Sequence, residues 1–185
     1  VHGLKRVVSV SENFKREDES LITANTILKN SLGTGYLEEF NHRTSLKERI
    51  RLLVDAMEEA TGMQNMGEYL TTLFEIDALF LNQDRHLNNI ALIRDRFRYK
   101  PCQIFDCGDS FLLDFALYSP EIESRAYLTK AQCLPFKSRF TQTVHTAQTL
   151  YGKQLAVNID KTGIDTILDK YLCYYPKQFH FLLKE

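Results

Sequence analysis

The sequence contains no uninterrupted apolar stretch near the roughly 20 residues that cross a bilayer, and no basic segment leading into an apolar leader. The expectation is a cytoplasmic protein with no membrane partner. Charge imbalance is missing too: 23 basic and 24 acidic side chains leave a formal net charge of −1, so no global field steers the chain toward nucleic acid or an anionic surface. Cysteine is sparse. Cys102, Cys107, Cys133 and Cys173 lack the close spacing of a metal cluster, and a chain of this length needs no disulfide staple, so reduced thiols are expected. His2, His42, His145 and His180 show no metal-ligand spacing either. No repeat, low-complexity linker or composition shift divides the chain, so residues 1–185 are expected to form one domain. Val1 stands first instead of Met, and is expected to mark a trimmed, processed or incomplete chain.

What is present is ordinary globular material: 44% hydrophobic and 25% charged residues exclude disorder over most of the length. Twelve Phe and nine Tyr are many for this size, and suit either a core or a partner-covering surface.

Periodicity places helices along most of the chain. Val7, Val8 and Val10 alternate as an edge strand within residues 1–16. Residues 20–31 read as a helix capped by Ser20, with Leu21, Ala24 and Leu28 on one face, ended by Gly33 and Gly35. Ser45 and Glu48 have the spacing of a capping box. Leu46, Ile50, Leu53, Val54 and Met57 then recur every three or four residues until Thr61 and Gly62 stop the helix. Residues 66–82 form the next helix, with Leu70, Leu73, Phe74, Phe80 and Leu81 crowding one side. Asp77 lies in that stripe, and must sit near its edge or be hydrogen-bonded, because an unpaired buried carboxylate is costly.

After Asn82 the pattern changes to a small β-ribbon: an apolar run at 89–93, a charged connection at 94–101 and a second strand at 102–105, with Pro101 at its entrance. Arg94, Arg96, Arg98 and Lys100 interleave with Phe97 and Tyr99, as in a solvated ribbon with two anchoring aromatics. Further helices are expected from Ser119-Pro120 to about Tyr127, over 138–151 and over 164–173. Ile164, Ile167, Leu168 and Tyr171 supply the apolar face of the last, and Phe179, Phe181, Leu182 and Leu183 should dock onto the domain. The fold class is mainly α, of the α+β type.

Two segments carry chemistry. Asp84-Arg85-His86-Leu87-Asn88-Asn89 joins a long helix to a strand, and Ile104-Phe105-Asp106-Cys107-Gly108 ends the following strand. A ribbon can bring Asn89 and Asp106 together across 17 positions. Such a meeting suits phosphoryl transfer, which needs oxygen ligands for magnesium and a carboxylate that orients an attacking hydroxyl. Arg85 is read as the partner of a phosphorylated segment or of a carboxylate, and Asp84 alternatively as a helix-end residue paired with Arg85. Gly108 is expected to relieve steric restriction in the turn. Asp109 and Asp114 flank the loop without an assigned role, and Cys107 is read as packing filler.

The run Asp84 to Asn89, followed by Asp106-Cys107-Gly108, resembles the catalytic and metal-binding loops of HipA-like kinases and of the wider phosphoinositide-kinase-related superfamily. The resemblance implies a protein-kinase-like fold with ATP between two lobes, and Ser/Thr protein kinase activity as in bacterial toxin–antitoxin systems. It makes Asp84 the catalytic base or hydroxyl-orienting group, with Arg85 and His86 completing the catalytic loop, His86 as its organiser or next to the transferring phosphate. Asn89 and Asp106 become the Mg²⁺ ligands, with Gly108 closing the cofactor-binding turn. A conventional kinase also has a glycine-rich strand turn and a strand lysine. Here Gly33-Thr34-Gly35 follows a helix and reads as a turn, and Lys5 is the nearest approach to such a lysine. The expectation is thus a kinase-like C-terminal lobe that phosphorylates a protein and meets its N-lobe, or an antitoxin, as a partner. The alternative is a non-catalytic regulatory or toxin–antitoxin interaction module on the same fold.

Overall fold

A computed structural model describes residues 10–42, 45–112, 117–118, 124–128, 130–158 and 160–174. The expected strand at Val7 and Val8, the helix start at Ser119-Pro120, Asp114, and the terminal residues Phe179 to Leu183 lie outside these residues. The architecture is mixed helix with two small sheets. The elements are β1 (Ser20–Thr23), α1 (Ala24–Leu32), α2 (Tyr36–His42), α3 (Leu46–Thr61), α4 (Met66–Phe80), β2 (Ala91–Arg94), β3 (Tyr99–Pro101), α5 (Ser124–Leu128), β4 (Gln132–Cys133), β5 (Ser138–Arg139), α6 (Phe140–Tyr151) and α7 (Lys161–Tyr171), followed by a 3₁₀ turn at Leu172–Tyr174.

Local chemistry accounts for the helix ends. In α3, Ser45 Oγ accepts from Glu48 N and the Glu48 carboxylate accepts from Ser45 N, the reciprocal box expected from the spacing. Gly62, at φ 72°, closes the helix in the left-handed conformation that glycine adopts without steric cost. The first helix differs from expectation. Ser20–Thr23 is a strand, and Thr23, not Ser20, caps α1 through its accepted bond from Thr26 N. Leu21 therefore belongs to the sheet.

That sheet has the order β1-β2-β3, all antiparallel. The predicted two-stranded ribbon thus gains a third strand from about 70 positions upstream, with Leu21 opposite Ile93. The outgoing strand is Tyr99–Pro101 and not 102–105. Pro101 is tolerated as its last residue because β3 is an edge strand, where a missing donor breaks no ladder. Tyr99 packs on the core, whereas Phe97 is 88% exposed at the hairpin tip, so only one of the two aromatics is an anchor.

The main core lies between α1, α3, α4, β2 and α6, with Ile50, Leu53, Met57, Leu70, Leu73 and Leu92 essentially inaccessible. α4 stops at Phe80, two residues before the expected end, and α6 begins at Phe140 after the short strand β5. α4 lies close against α6: a Cβ placed on Gly67 would stand 2.2 Å from the Tyr151 ring, so the helices meet where one has no side chain. Tyr69 of α4 donates to the carbonyls of Ala91 and Cys102, tying the helix to both arms of the hairpin. Burial pushes its phenol well above the ordinary tyrosine range.

α7 fulfils the expected helical periodicity, and part of its apolar face is open. Ile164 and Ile167 are 44% and 51% exposed. All four cysteines are free thiols, with Cys102 and Cys133 buried and Cys107 and Cys173 exposed. Burial raises Cys102 to about 11, which keeps it protonated and inert. No helix among the described residues is long and apolar enough to cross a membrane.

Candidate functional site

The site is built where α4 ends. Leu81 takes a left-handed conformation at φ 54°, turning the chain out of the helix, and Asn82 N donates to Asp77 O at 2.9 Å. The chain then runs through Asp84 to Asn89 without regular structure, before β2 begins at Ala91. Four backbone bonds hold this loop together or to its surroundings: His86 N to Asp84 O, Asn89 N to His86 O, Asn25 N to Leu87 O, and Ala24 N to Ile90 O.

Arg85 organises the region from inside. Its side chain has no solvent exposure, and it meets Asp77 in a two-point ion pair: Nε donates to Oδ2 and Nη2 to Oδ1, each at 2.8 Å. Asn82 Nδ2 donates to the same Oδ1. Burial by itself would lower the affinity of the guanidinium for its proton. The hydrogen bonds and charge of Asp77 outweigh that effect, and the group is held above its ordinary range. The remaining donors reach outward: Nη1 bonds the carbonyls of Asn89 at 2.9 Å and Phe105 at 2.7 Å, and Nη2 bonds Cys107 Sγ at 3.3 Å.

One cation therefore grips both the loop that carries Asp84 and Asn89 and the segment that carries Asp106. Of the two partners read for Arg85, the carboxylate is the one present, and it belongs to Asp77, not to Asp84. Asp77 also resolves as a hydrogen-bonded member of its apolar stripe.

Asp106 stands between two of the contacts made by Arg85, on Phe105 and on Cys107, with its own side chain exposed. Its φ of 54° is left-handed, a conformation costing a non-glycine residue on the order of 1–2 kcal/mol. The surrounding bonds hold it there. Phe105 stacks on Phe14 with ring centres 6.1 Å apart, Ser110 Oγ donates to Cys107 O, and Gln83 N donates to Asp109 O across the two segments. Gly108 does not take the expected steric role: its φ is not positive, and a Cβ there would meet open space. The left-handed residue of the turn is Asp106, two positions earlier.

Asn89 is buried, and its Nδ2 donates to Asp84 O at 3.0 Å. Because a carbonyl can only accept, this bond fixes which way the amide faces and leaves Oδ1 as its acceptor atom. Asp84 and His86 are half-exposed, with His86 Nε2 3.8 Å from Asp84 Oδ2 and His86 Nδ1 accepting from Asn88 N. His86 thus braces the loop beside the Asp84 carboxylate. Asn89 Oδ1 and the exposed Asp106 carboxylate are the oxygens that these two segments could offer to a hard cation such as Mg²⁺, which keeps several waters and takes one or two protein oxygens. No group of three His, Cys, Asp or Glu side chains suited to a metal occurs among the described residues, so a site built only from such side chains is not present there.

Sequence reasoning alone does not assign Asp77 to the site. The signal it offers is a carboxylate in a buried stripe with an arginine shortly after the helix. No family model matches the chain, no curated protein matches it, and no solved structure matches it.

Proposed function

We propose that the chain is the C-terminal lobe of a HipA-like, protein-kinase-like phosphotransferase, which with a nucleotide-covering lobe moves the terminal phosphoryl group of ATP onto a Ser or Thr hydroxyl of a protein. The carrying observation is the grip of Arg85 on Asp77, on the carbonyls of Asn89 and Phe105, and on Cys107 Sγ. It unites two segments that phosphoryl transfer needs side by side and that are 17 positions apart in sequence.

Each residue then has a physical task. Asp84, half-exposed at the mouth of the loop, orients the acceptor hydroxyl and takes its proton. His86 restrains that carboxylate from one side. Asn89 Oδ1 and Asp106 would hold Mg²⁺, which supplies charge neutralisation for the phosphates when bound. The shared Arg85 anchor keeps the two ligands at a constant spacing. Preorganisation of this kind removes reorganisation cost from the transition state.

The test is Mg-dependent transfer of labelled γ-phosphate by the full-length protein, compared with Asp84→Ala, Asn89→Ala and Asp106→Ala. Asp84→Ala and Asp106→Ala should each lower the rate by about 10²-fold or more, as expected for loss of a positioned acid–base or electrostatic group. Retention of full activity in both would remove the roles assigned to them.

A further inference from the structure

Two cavities open along the seam between α4 and α6. The first, of about 450 Å³, has Ala78 and Val144 at its floor and Leu81, Leu128 and Phe140 around it. The second, of about 340 Å³, shares Ala78, Val144 and Gln148 with the first and continues to Leu79, Leu155 and Val157. The shared residues make them one trough. Its walls include apolar side chains that face solvent: Leu79, Leu128 and Val157 are each between 44% and 52% exposed. Exposed apolar side chains that share one seam between two helices give a third helix places to anchor.

The charge of the rim says what kind of partner fits. Arg139 and His145 stand at one cavity and Lys153 at the other. Glu75 also lines the trough, but its carboxylate is buried and accepts from Gln148 Nε2 at 2.6 Å, Leu155 N at 2.7 Å and Gln154 N at 3.2 Å, so among the described lining residues the exposed charges are those of Arg139 and Lys153. An apolar floor between two helices with cationic edges complements an amphipathic helix that has apolar anchors at i, i+3 or i+4, and i+7 and acidic flanks. The trough also begins at Leu81, three residues before Asp84, so a segment seated in it lies next to the loop described above.

We propose that the α4–α6 seam is a docking groove for an acidic amphipathic helix of the protein partner. It names the partner of the same site, and it rests on the phosphotransferase reading only for the chemical step after docking. One apolar anchor occupies each cavity, and acidic side chains of the partner meet Arg139 and Lys153.

The test uses the full chain without nucleotide. The probe is a fluorescein-labelled helical peptide of about four turns, with Leu at the anchor spacing and Glu on its flanks, read by fluorescence anisotropy beside a twin in which Lys replaces Glu. The Leu/Glu peptide should bind saturably and about tenfold or more tighter than the Leu/Lys twin. Leu128→Glu and Leu79→Glu, both at exposed positions, should each weaken binding by about tenfold or more while the circular dichroism spectrum is unchanged. The double variant R139E/K153E should reverse the preference between the two peptides.

Equal binding of both peptides, or no binding, overturns the proposal. So does self-association of the chain that Leu128→Glu abolishes, since a second copy would then be the occupant. Peptide binding that appears only after removal of residues 175–185 overturns it as well, because the chain's own tail would fill the trough. Failure of phosphoryl transfer with peptide binding intact sinks the catalytic reading alone, and the reverse result sinks the groove alone.

Discussion

α4 and α7 space apolar residues alike, Leu70, Leu73 and Phe74 against Ile164, Ile167 and Leu168, and meet opposite fates in the fold. α4 buries Met66, Leu70, Leu73 and Phe74 in the core and delivers Asp77 to the guanidinium of Arg85. α7, with its own capping aspartate, leaves Ile164 and Ile167 in water. The difference teaches that periodicity reports which face of a helix is apolar, whereas burial depends on whether another element arrives to cover it. It also shows where substitutions should matter.

The largest effect should come from Arg85→Ala, which leaves Asp77 buried without its counter-charge; unfolding by denaturant should show a loss of about 3–5 kcal/mol. A loss of less than about 1 kcal/mol would mean that the ion pair does not hold the region together. Leu73→Ala, at a position 1% exposed in α4, should cost about 2–5 kcal/mol by the same measurement.

A pH-dependent contribution sits beside the sheet, where Glu19 precedes β1 and meets Lys100 of β3. The backbone N–H of Arg16, with Lys100 Nζ and the Arg16 side chain, holds the Glu19 carboxyl down from 4.5 to about 2. A lowered carboxylate stabilises the fold above its unfolded value and loses that contribution as pH falls through its folded value. Glu19→Gln should therefore unfold more readily than the parent at neutral pH. The two midpoints should converge between pH 4.5 and about 2, and parallel curves throughout that window would exclude the linkage.

Ile167→Ala in α7 should give the smallest change, within about 0.5 kcal/mol. A loss comparable to that of Leu73→Ala would dissolve the contrast between the helices, and would show that α7 is covered in solution.

Features written in neighbouring residues can be read directly. The Ser45–Glu48 box, Gly62 and the β2–β3 hairpin depend on contacts a few positions apart. β1 is not legible as a strand, because what makes Ser20–Thr23 extended is pairing with residues 91–94, and nothing local announces that partner. α2 carries no capping or spacing signal strong enough to be read at all. The second strand of the hairpin lies earlier than composition suggests for a related reason: Pro101 argues against a strand interior, and only the edge position of β3 makes it acceptable. In the candidate site, loop order draws attention to the two segments that carry Asp84, Asn89 and Asp106, and the bonds of Arg85 join those segments. The left-handed turn at Asp106 is not legible in that way, because it is imposed by the bonds of Arg85 and Ser110 around it.

The multiple grip of Arg85 also governs how the region can come apart. A loop held by its own private contacts can fray while its neighbour stays shut. Here the releases are coupled, since detaching Asn89 O or Phe105 O loosens the same guanidinium that the other segment relies on. Both stretches therefore share one opening free energy, and their amide protons should exchange with solvent at matching rates.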